Sequence, residues 1–249
     1  MGKAQILGVD VDIVDKDQLL DRIRESVRQK RRDLYPYVNI HAINIAQGDR
    51  EFRKLLNSAW TVYCDGEGVR LGARILGWRL PPRIVLTYYM WELLEAFERE
   101  EMSVYFLGGT EEVLQRAVAS VRERYPKLKI AGSHFGYFQK TGPESDTVVE
   151  SVARSGADVL FVGFGMPLQE HWIRQNMNLL TVHAILPCGS MIEYAGGAKK
   201  YTPAWMANNG MEWVFRLFQE PGRLWSRYLI GNPLFLLRVL GQRVRGNRG

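Results

Sequence analysis

Two cysteines in 249 residues, Cys64 and Cys188, form no disulfide framework and lack the paired spacing of a zinc site. A reducing, cytoplasmic compartment is therefore expected. Histidine is scarce too, with four in the chain. His41 and His171 have no partner at metal-ligand spacing and read as structural or surface residues. Long apolar runs are missing. The longest near-apolar stretch, Tyr228–Leu240, has 13 residues and contains Asn232, Pro233 and Arg238, whereas a bilayer span needs about 20 apolar residues. The segment MGKAQILGVDVDIVDKD lacks the apolar core of a secretory signal, and Ile6 stands where a myristoylation signal needs Ser or Thr. Internal repeats and low-complexity tracts are lacking as well. The composition that remains, 46% apolar and 24% charged, is that of a soluble globular protein able to bury a sizeable core.

The net charge of +6 is concentrated at one end. From Lys199 onward there are nine basic residues against Glu212 and Glu220, while the first 198 residues hold 24 basic and 25 acidic groups. The same segment carries Trp205, Trp213, Trp225 and Tyr228 among its arginines. Arg216, Glu220, Arg223 and Arg227 fall at helical spacing, which predicts three arginines on one face. Tryptophan, leucine and arginine together suit an interfacial helix on an anionic membrane surface. A helix packed on the core with a solvated basic face fits the same pattern. Neither spacing nor motif points to nucleic acid.

Before residue 195, short apolar runs alternate with amphipathic stretches. The expected strands are Ala4–Val9, Tyr35–Ile40, Trp60–Cys64, Val104–Leu107, Lys129–His134, Val159–Val162 and His183–Leu186. Helical patterns cover Asp49–Ala59, Glu67–Leu76, Trp91–Glu100, Thr110–Tyr125, Thr147–Ser155 and Gln169–Asn178. Strands that barely alternate are buried on both faces, and strand–helix alternation implies parallel βαβ units. The expected fold is α/β, a Rossmann-like and mostly parallel sheet flanked by helices. Residues 1–195 would form it, and 196–249 a basic, aromatic, helical appendage.

Ligands of such sheets bind beyond the carboxyl ends of the strands. Four glycine-rich turns fall there: Asp65–Gly68, Gly108–Thr110, Gly163–Gly165 and Cys188–Ser190. Together they predict a crevice for a phosphorylated ligand. Asp65 ends an apolar strand and reads either as the N-cap of the next helix or as a general base at the crevice mouth. Gly66, Gly68 and Gly72 also approximate a dinucleotide fingerprint. The acidic residue such a site needs about 20 residues later is missing, since that region reads Arg83-Ile84-Val85-Leu86-Thr87. Glu111 and Glu112 compete with an anion at the turn Gly108-Gly109, so Thr110 reads as a cap. Asp10-Val11-Asp12 alternates as an edge strand with one wet face does, and Cys64 reads as a small buried hydrophobe. Pro167 fits a helix start, placing Gln169 and Glu170 in a first turn that faces the crevice, within reach of sugar hydroxyls.

These motifs coincide in one family. Asn39 within YVNIHAINIA, Cys64-Asp65-Gly66-Glu67-Gly68, Pro82-Arg83, Phe106-Leu107-Gly108-Gly109, Gly136-Tyr137-Phe138, the run Gly163–Glu170 and Tyr228–Pro233 resemble the WecG/TagA/CpsF glycosyltransferases of bacterial wall and capsule synthesis. The resemblance covers about residues 5 to 245. It implies inverting, metal-independent and cofactor-free transfer of a sugar from a UDP-sugar to a polyprenyl-diphosphate-linked acceptor, by an enzyme peripheral on the inner face of the cell membrane. By that resemblance Asp65 is the general base and Arg83 a second catalytic residue. Donor and acceptor contacts fall on Asn39, Gly66, Gly108, Gly109, Tyr137, Gly163, Gly165, Pro167, Gln169, Glu170 and Gly189. Arg216, Arg223 and Arg227 would hold the diphosphate and close the site. Two departures bear on the sugar: Tyr37 where the family often has Thr, and Leu86-Thr87-Tyr88 after Arg83 in place of Gly-Ser/Thr-Asp. N-acetylmannosamine is the best-known donor sugar of the family, while GFGMPLQEHW and YLIGNPLFL resemble an exopolysaccharide branch that uses glucose. An NAD(P) oxidoreductase and a non-catalytic membrane scaffold are the competing readings, and a homo-oligomer is compatible with the sequence.

Overall fold

The computed structural model describes residues 2–203, 205–206 and 212–246, the side chain of Arg223 excepted. The chain is α/β. Its first strands, β1 (Lys3–Ile6) and β2 (Val9–Asp12), form an antiparallel hairpin around Leu7-Gly8, where a single strand Ala4–Val9 is expected. Asp12 is not on a wet face. It is buried, receives the Val62 amide at 2.9 Å and pairs with Arg22 at 3.0 Å. Helix α1 (Lys16–Arg28) opens with a capping box between Asp15 and Gln18.

Five parallel strands form the central sheet, in the order β3 (Asp33–Leu34), β9 (Ala184–Pro187), β8 (Val159–Gly163), β6 (Ser103–Gly108) and β7 (Lys129–His134). Beyond Pro36 the chain continues as β4 (Tyr37–Val38), paired in parallel with β5 (Tyr63–Cys64). The extended run 33–38 donates to β9 from Asp33 and Tyr35 and accepts from β5 at Leu34, Pro36 and Val38. Proline has no amide to donate, but its carbonyl faces β5 and is used.

The unalternated strands behave as expected, buried on both faces. Tyr105, Leu107, Leu160, Val162 and Ile185 belong to one hydrophobic cluster, and Val104, Phe106, Phe161, Ala184 and Leu186 to the other. Helices α2 (Ile40–Gly48), α3 (Arg50–Ser58), α4 (Glu67–Ile75), α5 (Leu86–Arg99), α6 (Glu111–Arg124), α7 (Pro143–Ser155) and α8 (Leu168–Asn176) connect the strands, and α9 (Met191–Ala195) follows the last of them. Thr110 caps α6, receiving the Val113 amide at 3.3 Å. The strand expected over Tyr35–Ile40 stops at Val38, because Asn39 turns its side chain to the Ala42 amide at 3.2 Å and starts α2.

The C-terminal segment continues as α10 (Glu212–Gln219), α11 (Pro221–Trp225), a π-helical turn (Ser226–Ile230) and α12 (Gly231–Gly246). Phe235 and Val239 of α12 are fully buried in the first cluster, beside Val69 and Ala73 of α4. Gln242 accepts the Leu7 amide at 2.8 Å, and Asn44 of α2 donates to the Gly231 carbonyl at 2.8 Å. These bonds fix α12 to the hairpin and α2, and so fix α10 above α4. No described helix is long and apolar enough to cross a membrane.

Candidate active site

A cleft of about 530 Å³ opens where β4 and β5 end, between α4 and the C-terminal segment. That volume suits a small-molecule ligand. Asp65 follows β5 directly, and its amide donates to the Val38 carbonyl at 2.9 Å, which aims the residue out of the sheet. Gly66 is the N-cap of α4 and the carboxylate caps nothing. Instead it accepts from Asn39 Nδ2 at 3.3 Å. Since Asn39 Oδ1 is already committed to α2, the amide nitrogen is the end that faces the carboxylate. Burial pushes the Asp65 carboxyl above its ordinary 3.8, against the pull of Arg216, the Asn39 hydrogen bond and Arg83, while Glu212 adds to the rise.

Five arginines line the cleft, Arg70, Arg74, Arg83, Arg216 and Arg227, against three carboxylates, Asp65, Glu67 and Glu212. Arg83 pairs with Glu212 at 2.7 Å and approaches Glu67 at 3.7 Å, and Glu67 also receives two bonds from Arg70 at 2.8 Å. Burial works against the Arg83 charge, but Glu212 and Asp65 more than offset it, leaving the guanidinium pKa raised. Burial acts the same way on Arg216, where Tyr228, Tyr194, Asp65 and Glu212 reverse the balance and raise it. Arg227 is lowered, chiefly by burial, with Arg216 contributing. The cleft thus keeps an excess of fixed cations around one desolvated carboxylate, a field suited to a phosphorylated ligand.

The helix expected to carry all three tail arginines is broken. Glu220 adopts an extended φ of −136° before Pro221, which disfavours helix in the residue it follows. Arg216 and Arg227 nevertheless converge on the cleft from α10 and the π-helical turn. The side chain of Arg223 lies outside the described residues.

Gly66 lines the cleft; Gly108, Gly109, Gly163, Gly165 and Gly189 do not. Gly108 is packed so closely on β8 that a Cβ would stand 2.5 Å from the Gly163 carbonyl oxygen. At Gly189, φ is +54° and a Cβ would stand 2.6 Å from the Tyr37 hydroxyl, so only glycine fits. Gln169 and Glu170 are fully buried rather than facing the cleft. Gln169 Oε1 accepts the Gly165 and Gly189 amides, both at 3.1 Å, and its Nε2 donates to Glu170 at 2.8 Å. Its carbonyl oxygen thus holds two turns together. Burial pushes the Glu170 carboxyl up to about 7. Pro167 precedes α8 directly, and Tyr137 is 74% exposed away from the cleft.

Gly68 and Gly72 pack against protein: a Cβ would meet Ile40 at 2.2 Å and Phe235 at 2.6 Å respectively. Helix packing therefore accounts for two glycines of the apparent dinucleotide fingerprint. Cys64 is buried, as expected, with its thiol pushed up to about 12 by desolvation. His171 bonds Asp49, the N-cap of α3, at 2.8 Å, a structural contact, whereas His41 lines the cleft. Sequence reasoning also missed Glu212, Trp213 and Tyr228 at the cleft. The one available signal for Glu212 was its being one of two acids in a basic segment. Among the described residues, no group of three or more His, Cys, Asp or Glu side chains is placed to hold a metal ion.

The desolvated carboxylate stands in a cationic cleft at the ends of the short β4–β5 pair, beside a parallel sheet covered on both faces, an arrangement suited to a phosphorylated ligand. Residues 4–249 match the glycosyl transferase WecG/TagA/CpsF family, and the chain belongs to that family. It is similar to the N-acetylglucosaminyldiphosphoundecaprenol N-acetyl-beta-D-mannosaminyltransferase of Staphylococcus aureus strain MW2, at 30% identity over 95% of this chain and 92% of the relative. The same protein of strain NCTC 8325 / PS 47 matches with the same identity and coverage, 30% over 95% and 92%.

Proposed function

We propose that the protein transfers a hexose or N-acetylhexosamine from a UDP-sugar to a polyprenyl-diphosphate-linked saccharide, with inversion, in cell-surface polysaccharide synthesis. The observation that carries the reading is the Asp65 carboxylate, held by Asn39 and raised in pKa at the centre of a cleft with five arginines. The names of the Staphylococcus relatives supply the acceptor class.

In the proposed reaction an acceptor hydroxyl attacks the anomeric carbon from the face opposite UDP. The new C–O bond forms as the bond to the UDP oxygen breaks. The hydroxyl proton passes to Asp65, and the electron pair leaves on the diphosphate. A raised pKa suits that role, since a base works best when its pKa approaches the working pH. Arg83, Arg216 and Arg227 take the developing charge, and Glu212 keeps Arg83 aligned through the 2.7 Å pair. With these cations in place the step is written without a metal. Asn39 orients the base, and Gln169 acts one layer back by fixing the turns at Gly165 and Gly189. The aromatic, arginine-bearing C-terminal segment brings the cleft to the inner membrane face, where a lipid acceptor resides.

The test is sugar transfer from UDP-sugars to a lipid-linked N-acetylglucosamine acceptor in EDTA. Asp65→Asn should lower kcat by about 10²–10⁴-fold, the usual worth of a positioned base. Undiminished transfer by the variant removes Asp65 as base, and transfer that vanishes in EDTA removes the metal-independent reading.

A further inference from the structure

We propose that Glu67 and Glu212 are positioning residues that hold Arg83 off the Asp65 carboxylate, so that the base stays unpaired inside a cationic cleft; this rests on the transferase reading above. An ionised aspartate in a cleft with five arginines is expected to form an ion pair with one of them. Asp65 does not. Among the described residues its side chain bonds Asn39 at 3.3 Å, and no arginine reaches it as an ion pair.

Two other carboxylates take the guanidiniums. Arg83 pairs with Glu212 at 2.7 Å and approaches Glu67 at 3.7 Å. Glu67 also holds Arg70 through two bonds of 2.8 Å, so one carboxylate on the first turn of α4 restrains two arginines. Arg74 is exposed to solvent. Arg216 lies one turn beyond Glu212, so the pair with Arg83 also fixes the start of the helix that carries Arg216. That helix is pinned again at its far end. There Gln219 donates to the Lys200 carbonyl at 3.2 Å and Glu220 pairs with Lys199 at 2.8 Å. Helix α10 thus keeps an anchor that does not involve Glu212.

The charges that Asp65 meets come from several elements. Burial raises its titration most, Arg216 pulls it down, and Glu212 and Arg83 act in opposite directions behind the Asn39 bond. Arg227 and Tyr228 of the π-helical turn, His41 of α2, Tyr37 of β4 and Tyr63 of β5 stand around it as well. Arg83 in direct contact with Asp65 would oppose burial and hold the carboxyl down, as an adjoining cation does. The base would weaken, and the cation would be spent on it. With Arg83 held on Glu212 and Glu67 instead, the cleft keeps both. A diphosphate carries more charge than a single carboxylate, so it can draw Arg83 over while the base stays unpaired.

The test follows the Asp65 carboxyl carbon by NMR through a pH titration of the ligand-free protein, the signal being assigned by its loss in Asp65→Asn. Glu212→Gln should lower the titration midpoint, and the acid limb of kcat/KM should move down with it. At neutral pH kcat should fall by about 10²–10³-fold, as when one preorganised donor is lost, and Glu212→Asp should recover part of it. Glu67→Gln changes a side chain that is 51% exposed, so folding is not at risk, and it should move the midpoint the same way. In an Arg83→Gln background the effect of Glu212→Gln should shrink, because no guanidinium is left to close on Asp65. A midpoint that stays in place in both glutamine variants overturns the proposal, whatever happens to kcat. So does an equally large lowering without Arg83, which reduces Glu212 to a neighbouring charge. Failure of the underlying transferase reading looks different: the midpoints then move as expected while the unmodified protein transfers no sugar.

Discussion

Asp65 sits among groups that pull its titration both ways, and the upward pull of burial wins. A carboxyl whose folded pKa exceeds its unfolded value stabilises the fold fully below the unfolded pKa, here 3.8, and that contribution is lost as pH rises through the raised value. Ionised Asp65 is therefore a stability cost carried at working pH. Two results are expected. The acid limb of kcat/KM should fall above the ordinary aspartate range, because the proposed base is lost as it protonates. Asp65→Asn should also melt higher than the parent at neutral pH, by about 2–4 °C for each kcal/mol recovered. A variant that melts lower would mean that the arginines around the carboxylate outweigh its desolvation. A strand ending in Asp-Gly was legible as a cap or a base from the sequence. The tertiary structure removes the cap: Gly66 takes the N-cap position of α4, and the Asp65 carboxylate meets Asn39 Nδ2 instead.

At the scale of elements, the contact between α4 and α12 holds the site together. Gly72 lets the Phe235 ring lie against the α4 backbone, and a Cβ there would stand 2.6 Å from the ring. Gly72→Ala should destabilise the fold by about 1–3 kcal/mol, as overpacking does. Because α12 follows the arginine-bearing turn and lends Asn232 and Leu236 to the cleft, the proposed transfer should weaken alongside. Urea denaturation and the acceptor KM measure the two effects. A variant with parental stability would show that the ring moves aside freely. The spacing Gly66, Gly68, Gly72 was visible beforehand, but it suggested a nucleotide, since nothing local says that a phenylalanine 163 positions later fills the gap. Helix α2 was hidden for a similar reason. Its residues IHAINIAQG are largely apolar on all sides, so no amphipathic period marked it off from the strand before it.

For the whole molecule, the charge excess and the exposed aromatics occupy the same end of the chain. Phe218, Trp225 and Leu229 are 83%, 51% and 59% exposed beside a segment rich in arginine. Such a surface is expected to hold anionic vesicles through both charge and apolar insertion. Sedimentation with anionic vesicles should fall severalfold between about 0.1 and 0.5 M salt, as the Debye length shortens from about 10 Å. Phe218→Asp should lower it further at either salt. Binding that ignores both changes would separate this end of the molecule from the membrane.

Unalternated runs of Val, Ile, Leu and Phe determined a parallel sheet covered on both faces, because a strand with no wet side has no reason to alternate. The last apolar residue before a glycine turn likewise determined where a strand ends, and hence that Asp65 stands just beyond β5, where the cleft opens. Those are local signals, carried by neighbours in the chain. Which of the glycine turns reach the cleft was decided by the fold: Gly66 lines it, and Gly108, Gly109, Gly163, Gly165 and Gly189 do not. The pairing of Arg83 with Glu212 and the convergence of Arg216 and Arg227 on Asp65 were decided there as well. These partners lie more than a hundred residues apart, and sequence periodicity specifies the face of an element but not the element it meets.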